Sequence, residues 1–268
     1  MDTTILFRIG SRFSEEEEYR VAQNYFAVET SRSLCKNTVV IGRYSTLPFY
    51  EDLEQDLKYN NSRLINSYDQ HRWIANFDYY NALADYTFES WKERDFPYSK
   101  YPGPFVVKGT TNSKKHHWNT MMFAKDRREA VEVASRLYQD DLVGRQGLVY
   151  RKYEPLVTYE IGLNGLAFTN EWRLFFLGEN LICSGYYWSE AQDVDSPHLS
   201  EEAIAFAHEV AKIASKHTNF FTLDIGEKQS GGWVLIEVND GQQAGLSMNT
   251  PEIFYRNLAQ KLTDFDLR

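Results

Sequence analysis

The chain has little cysteine and no long apolar run. Two cysteines occur among 268 residues, too few for the disulfide framework of a small secreted domain. No stretch is long and apolar enough to cross a bilayer, and residues 1–10 lack the apolar centre of a signal peptide. These absences predict a cytoplasmic protein with no membrane partner.

Basic charge is also scarce. Lys and Arg number 29 against 38 Asp and Glu, a formal net charge of −9. Nucleic acids and anionic membranes repel a chain of this charge. We therefore do not expect a nucleic-acid partner, although a local basic site for an anionic ligand stays open. The hydrophobic content of 43% and the aromatic content of 15% indicate a folded chain with a core for one large domain or two small ones.

Two apolar segments near the C-terminus carry isolated acidic residues. Residues 221–226 and 234–241 flank a Ser-Gly-Gly turn, a pattern typical of a β-hairpin. Residues two apart in a strand project from the same face, which places Glu237 and Asn239 together. Asp224 on the partner strand is within reach of that face. Three oxygen donors on a rigid hairpin suit a hard cation such as Mg²⁺.

An exposed pair of acids on a hairpin is a common alternative to a metal site. Here apolar residues surround Asp224, Glu237 and Asn239, which indicates strands covered on both faces. A buried carboxylate needs a partner or a metal. We therefore predict that these three residues are metal ligands.

The chain divides at a proline- and glycine-rich run over residues 96–104. Before the run, strand-like segments alternate with helical ones, which indicates a small α/β unit. After it, hairpin-like strands and helices predict an α+β unit. The predicted domains are therefore residues 1–100, an N-terminal α/β domain, and residues 101–268.

Three helices have clear start signals. Asp126 and Thr250, the latter before a proline, are expected to cap the helices that follow them. Ser67 or Asp69 is expected to cap a helix that runs towards Leu83.

A lysine-rich loop follows an apolar strand in the second domain. Lys108 ends that strand at a glycine, where an amine suits a phosphate, although a lysine that simply terminates an exposed strand is the alternative. The polar loop from Thr110 to Asn119 adds Lys114 and Lys115. A loop of this kind can close over a triphosphate and become ordered on binding. It lacks the Gly-Lys-Ser/Thr ending of a Walker A loop.

Two further segments have candidate nucleotide contacts. The run Arg151, Lys152, Tyr153 and Glu154 follows a strand and stops at a proline. It is either an exposed linker or a hinge whose backbone contacts an adenine edge, with Glu154 on ribose hydroxyls. Further along, Arg173 enters an apolar strand, where its fork of donors matches a γ-phosphate or an acyl phosphate better than a surface role.

Taken in order, these segments resemble the ATP-grasp superfamily. The matching segments are residues 106–109, the loop that follows them, the hinge after Val149, and residues 171–173, 223–225 and 236–239. The resemblance extends from about Phe105 to the C-terminus. It implies an ATP-grasp fold of two α+β subdomains that hold ATP between them, preceded by the small α/β domain.

The resemblance also implies roles for the candidate residues. Lys108 would contact the α- or β-phosphate, and Lys114 or Lys115 the phosphates from the loop. Mg²⁺ would be bound by the three predicted metal ligands, and Arg173 and Lys114 would serve catalysis. The implied activity is ATP- and Mg²⁺-dependent ligation of a carboxylate to an amine through an acyl phosphate, with release of ADP and phosphate. The substrates would be small molecules or peptides.

Two other functions stay open on the same scaffold. A kinase would use a hydroxyl in place of the carboxylate, and a nucleotide-binding module would not catalyse a reaction. The sequence also departs from the family pattern: where many members have another phosphate-binding lysine, this chain has Gln70-His71-Arg72, and the loop lacks the usual glycines. Arg72 is an open substitute for that lysine. The pattern is more similar to a divergent bacterial or phage branch than to the D-alanine or glutathione ligases.

Overall fold

The computed structural model describes residues 2–8, 13–96, 100–162, 165–191 and 198–267. The strands, in chain order, are β1 (Thr3–Leu6), β2 (Ala27–Glu29), β3 (Val39–Gly42), β4 (Arg63–Leu64), β5 (Ser90–Lys92), β6 (Phe105–Gly109), β7 (Phe123–Ala124), β8 (Leu148–Lys152), β9 (Thr158–Ile161), β10 (Ala167–Thr169), β11 (Glu171–Leu177), β12 (Asn180–Tyr186), β13 (Phe220–Glu227) and β14 (Trp233–Asp240). The helices are α1 (Phe13–Ala22), α2 (Tyr50–Tyr59), α3 (Tyr68–Ala75), α4 (Tyr80–Leu83), α5 (Trp118–Met121), α6 (Arg127–Tyr138), α7 (Glu201–Ala214) and α8 (Pro251–Leu262). The mixture of helices and strands confirms the predicted α+β class.

The N-terminal region forms a four-stranded parallel sheet. Its order is β2-β1-β3-β4, and every pairing in it is parallel. Successive residues of a strand point to opposite faces, so Val39 and Ile41 pack on one side while Val40 packs against α2 on the other. Parallel strands joined through helices are the α/β arrangement that the alternating pattern predicted.

The largest sheet is antiparallel and is covered on both faces. Its order is β12-β11-β13-β14. On one face, Leu174 and Phe176 pack with α7. On the other face, Phe175 and Leu177 pack with α8 and the N-terminal sheet. The β13–β14 hairpin predicted from its turn is confirmed.

A second antiparallel sheet lies across a cleft from the first. Its order is β5-β8-β6-β7. Phe105 and Val107 of β6 pack against α6, and the alternation of the strand turns Val106 and Lys108 towards the cleft. β5 lies before residue 100 but pairs with β8, so hydrogen bonds of this sheet cross the predicted domain boundary. Part of the proline- and glycine-rich run, residues 97–99, lies outside the described residues.

The predicted helix starts have different outcomes. Ser67 caps α3 and forms a capping box with Gln70, and Asp126 caps α6. Thr250 occupies the cap position of α8 without a side-chain capping bond. The expected helix from Ser67 to Leu83 is wrong, because the chain leaves the helical conformation after Ala75 and Phe77 has a positive φ of 63°. Among the described helices, none has the length and apolar character that a membrane span needs.

Candidate active site

Three charged residues lie in one row across the central sheet. Arg173 on β11 is directly opposite Asp224 on β13, which is directly opposite Glu237 on β14. A bulge follows Asp224. The alternation of the strand puts Arg173 on the same face as Phe175. Cross-strand register therefore assembles side chains that are far apart in the sequence.

Arg173 and Asp224 form a buried two-pronged ion pair. The Arg173 Nε and Nη2 atoms donate to the two Asp224 carboxylate oxygens at 2.8 and 2.7 Å, and Nη1 donates to the Gly245 carbonyl at 2.8 Å. Asn239 Nδ2 donates to Asp224 Oδ2 at 3.1 Å. Burial lowers the pKa of Arg173, but Asp224 outweighs burial and the net pKa is raised. Arg173 is therefore held as a cation in a fixed orientation.

Lys108 reaches Glu237 across the cleft. Its Nζ donates to Glu237 Oε1 at 2.6 Å, and both residues are buried. Burial raises the pKa of Glu237, but Lys108 and Lys115 lower it further, and the net shift is downward. Burial is the main cause of a lowered pKa at Lys108, and the nearby Arg151 adds to it. Several cations thus surround one carboxylate.

Two buried cations have N–H groups without acceptors. Lys115 Nζ is buried, with no hydrogen-bond partner among the described residues, 3.9 Å from the ring centre of Tyr187 and 4.0 Å from Glu171 Oε1. Arg151 donates through Nε to Ser90 and through Nη1 to the Ile236 carbonyl, while its Nη2 is buried without a partner in the described part of the chain. Buried donors are normally satisfied, so these atoms suit an anionic ligand.

The cleft contains a largely apolar cavity of about 130 Å³. Its charged lining residues come from both sheets and from the segment after β8. They are Lys108, Arg151, Lys152, Glu154, Glu171 and Glu237. Trp118, Trp188 and Phe88 are among its aromatic walls. An apolar pocket with a few convergent polar groups is typical of a small-molecule site.

A second cavity, of about 210 Å³, lies at the end of β14. Arg173 and Asn239 line it, together with residues 110–112 from the loop after β6. The segment after β14 contributes Gln243, Ala244 and Gly245. Residues of the ion-pair row therefore border both cavities, with Glu237 at the first and Arg173 at the second.

The structure gathers most of the predicted site residues, but not all. Tyr153 and Glu154 line the first cavity. Lys114 forms an ion pair with Asp140 and lines neither cavity described above. Arg72 is 3.9 Å from Asp69, has an exposed side chain and is likewise outside both linings.

The predicted metal ligands have the right chemistry but are paired with cations. Among the described residues, no three His, Cys, Asp or Glu side chains are arranged to hold a metal ion. Asp224 and Glu237 lie opposite each other, and Asn239 reaches Asp224. Two carboxylates and an amide supply the oxygen donors that Mg²⁺ prefers. In kind, this donor set fits the metal that the family implies.

Some lining residues were missed from the sequence. Phe88 lies in the turn before β5, and Trp188 follows β12. A tryptophan at the end of an apolar strand is a weak signal that Trp188 gave. His71 and Asp240, which line the second cavity, are 169 residues apart and had no local signal that joined them.

Comparison with known families identifies the class of this protein. A family described as an ATP-grasp domain, family 3 of its clade, matches residues 96–258. The chain belongs to this family, and the predicted ATP-grasp fold is confirmed. A comparison with curated proteins found no match.

Solved structures share the fold at low sequence identity. D-cycloserine synthetase DcsG is 15% identical, with a TM-score of 0.62 over 97% of this chain and 99% of the other. A RimK domain ATP-grasp protein from Sphaerobacter thermophilus is 13% identical, with a TM-score of 0.58 over 95% and 98%. D-alanyl-alanine synthetase A from Vibrio cholerae is 15% identical, with a TM-score of 0.54 over 98% of both chains.

Proposed function

We propose that this protein is an ATP- and Mg²⁺-dependent ligase that joins a carboxylate to an amine through an acyl phosphate and releases ADP and phosphate. One observation carries the proposal: buried cations without hydrogen-bond acceptors, Lys115 and Arg151, lie beside the buried pair of Lys108 and Glu237. A polyanionic substrate supplies the missing acceptors.

The residues of the first cavity suit a nucleotide. The apolar walls accept a base, and the segment after β8 presents the Tyr153 backbone and the Glu154 carboxylate to the base and the ribose. Lys108, Lys115 and Arg151 are the proposed phosphate contacts. Lys114 joins them only after it leaves Asp140, which fits a loop that closes on binding.

Catalysis would consist mainly of positioning and charge stabilisation. Attack of a carboxylate oxygen on the γ-phosphate develops negative charge on the transferring oxygens. Arg173, fixed by Asp224 and Gly245, is oriented before the reaction to stabilise that charge. Mg²⁺ bound by Asp224, Glu237 and Asn239 supplies further neutralisation of the phosphates. The substrates are small-molecule or peptide carboxylates and amines.

A cytoplasmic location is part of the proposal. The two cysteines, Cys35 and Cys183, are buried free thiols, and a protein with no disulfide suits a reducing compartment.

Calorimetric titration of ATP with Mg²⁺ tests the nucleotide site. Wild type is expected to bind only when the metal is present, and Asp224→Asn/Glu237→Gln is expected to lose that binding. Asp69→Asn/Glu190→Gln removes two acids that are exposed on the surface and serves as the control of equal charge change. Equal binding by all three proteins would refute the predicted metal ligands.

Trapping with hydroxylamine separates the ligase from a kinase. An acyl phosphate reacts with hydroxylamine to give a hydroxamate, whereas a phosphorylated alcohol does not. Each standard amino acid, supplied singly with ATP and Mg²⁺, is a suitable probe carboxylate. ADP release without hydroxamate would favour the kinase, and nucleotide binding without any turnover would favour a binding module.

A further inference from the structure

A buried histidine–aspartate pair lies at the second cavity. His71 on α3 and Asp240 at the end of β14 are both buried, and His71 Nδ1 is 3.0 Å from Asp240 Oδ2. The other carboxylate oxygen accepts from Asn66 Nδ2 at 2.9 Å and from the Gln242 backbone N–H at 3.0 Å. A carboxylate surrounded by donors acts as an acceptor for His71 as well. The hydrogen therefore sits on Nδ1, and Nε2 carries the lone pair.

The imidazole ring is fixed in this orientation. It stacks on Tyr50 with ring centres 4.0 Å apart and an angle of 9° between the planes. The Tyr50 hydroxyl donates to the Asn66 carbonyl at 2.9 Å and accepts from Gln242 Nε2 at 2.6 Å. The residues that hold the ring therefore also hold the carboxylate. This rigidity is typical of a side chain that must present one atom to a ligand.

His71 Nε2 is buried and has no hydrogen-bond partner among the described residues. Since buried polar atoms are normally paired, this unpaired acceptor requires an explanation. His71 lines the second cavity beside Arg173 and Asn239. A ligand that brings an N–H donor into the cavity would satisfy Nε2.

The charges of the second cavity favour an amine as that ligand. Arg173 is the only Lys or Arg side chain among its lining residues in the described part of the chain, and all of its donor nitrogens are engaged with Asp224 and Gly245. The lining also contains the Asp240 carboxylate. A second anion has no unpaired cation to meet here, whereas an ammonium meets an acceptor and a negative charge.

We propose that His71, oriented by Asp240, is the proton acceptor for the amine that the ligase joins to its carboxylate. This role rests on the proposed function and deepens it. His71 Nε2 takes one proton from the bound ammonium, and the freed lone pair forms the C–N bond at the acyl carbon. The C–O bond to phosphate breaks, and phosphate leaves with that electron pair and the second N–H proton. The imidazolium then returns its proton to water.

Nitrogen NMR of the full chain tests the tautomer and the ligand without turnover. The His71 signals are assigned by their loss in His71→Asn. The Nδ1–H form is expected, and methylammonium chloride is expected to shift the Nε2 signal while potassium chloride of equal ionic strength does not. An Nε2–H form, or an Nε2 signal that ignores methylammonium, overturns the assignment.

Product analysis tests the step itself, with His71→Asn chosen because the asparagine amide can still donate to Asp240. Hydroxylamine is an uncharged nucleophile near neutral pH, whereas methylamine, an alkylamine like lysine with a pKa of about 10.4, must lose a proton first. His71→Asn is expected to keep hydroxamate formation and to lose methylamide formation by about 10²-fold or more. His217→Asn, which changes an exposed histidine stacked on Trp73, is expected to keep both.

The outcomes separate the two proposals. Equal loss of hydroxamate and methylamide in His71→Asn, or methylamide formation at the wild-type rate, means that His71 is a structural residue. Absence of hydroxamate in wild type refutes the ligase rather than the amine site, which the NMR titration then decides alone.

Discussion

Two buried glutamates in the cleft have pKa values shifted in opposite directions. Burial raises the pKa of Glu171, since its nearest cation, Lys115, is 4.0 Å away. The pKa of Glu237 is lowered despite burial, because Lys108 is 2.6 Å away and further cations are near. A distance of little more than an ångström thus decides which carboxylate is held as an anion.

The pair of Lys108 and Glu237 is expected to be costly to break from one side. Lys108→Met leaves the Glu237 charge buried without its partner and is expected to lower the free energy of unfolding by about 3–5 kcal/mol. Lys108→Met/Glu237→Gln leaves no charge behind and is expected to recover most of that loss. Urea denaturation measures both proteins. A double variant less stable than the single one would contradict this account.

The lowered pKa of Glu237 predicts how stability depends on pH. A carboxyl group whose pKa is lower in the folded than in the unfolded chain adds stability above its unfolded pKa. That stability is lost as the pH falls through the folded pKa. Wild type is therefore expected to lose more stability than Lys108→Met/Glu237→Gln between about pH 6 and about pH 3. Urea midpoints across this range test the difference, and parallel curves would count against it.

At the scale of elements, β12 depends on a glycine where another segment packs against it. A Cβ at Gly185 would lie 2.5 Å from the Asn249 backbone nitrogen and 2.7 Å from the Met248 carbonyl carbon. Asn249 Nδ2 donates to the Arg173 carbonyl at 3.1 Å, and Gly245 lies just before this segment. The close contact therefore connects β12 to the surroundings of Arg173.

Gly185→Ala is expected to push this segment away and to lower the free energy of unfolding by about 1–3 kcal/mol. ATP binding should weaken too, because Arg173 loses part of its support. Gly42→Ala is the control in another strand, since a Cβ there has only Tyr44 within 4 Å, at 3.8 Å. Its expected change is within about 0.5 kcal/mol. Thermal melts and calorimetry compare the two, and equal effects would refute the role of the contact.

Elements with local signals were predictable from the sequence. The β13–β14 hairpin follows from its turn and its alternating residues, and α6 from its Asp126 cap. The break before Phe77 was not predictable, because packing of its ring against Tyr79 and Tyr80 supports a backbone conformation that local preference disfavours.

The same limit applies to contacts within the site. The spacing of Glu237 and Asn239 indicated a shared face, which register alone decides. The partner of Lys114 is Asp140 on a different segment, and the partner of His71 is Asp240 at the far end of the chain. Such pairs depend on how sheets and helices pack, and a single sequence contains no local pattern for them.

At the scale of the whole molecule, both ends of the chain share one core. Ile5 and Ile41 of the N-terminal sheet belong to the same buried cluster as Phe175, Phe220 and Phe254. The N-terminal sheet therefore covers apolar side chains that the central sheet and α8 cannot cover alone. The division at residue 100 stays a proposal about organisation in the sequence, and this shared core indicates that the two parts depend on each other for stability.

Truncation at that division is expected to abolish folding. Residues 101–268 would expose several of the shared side chains, each stabilised by burial by about 1.5–3 kcal/mol, against a total stability of about 5–15 kcal/mol. The fragment should aggregate or melt without a cooperative transition, while the full chain unfolds in one step by calorimetry. Residues 85–268 restore β5 and its pairing with β8 but not the shared core, so this control should also fail. A fragment 101–268 that melts cooperatively near the temperature of the full chain would instead establish it as an independent domain.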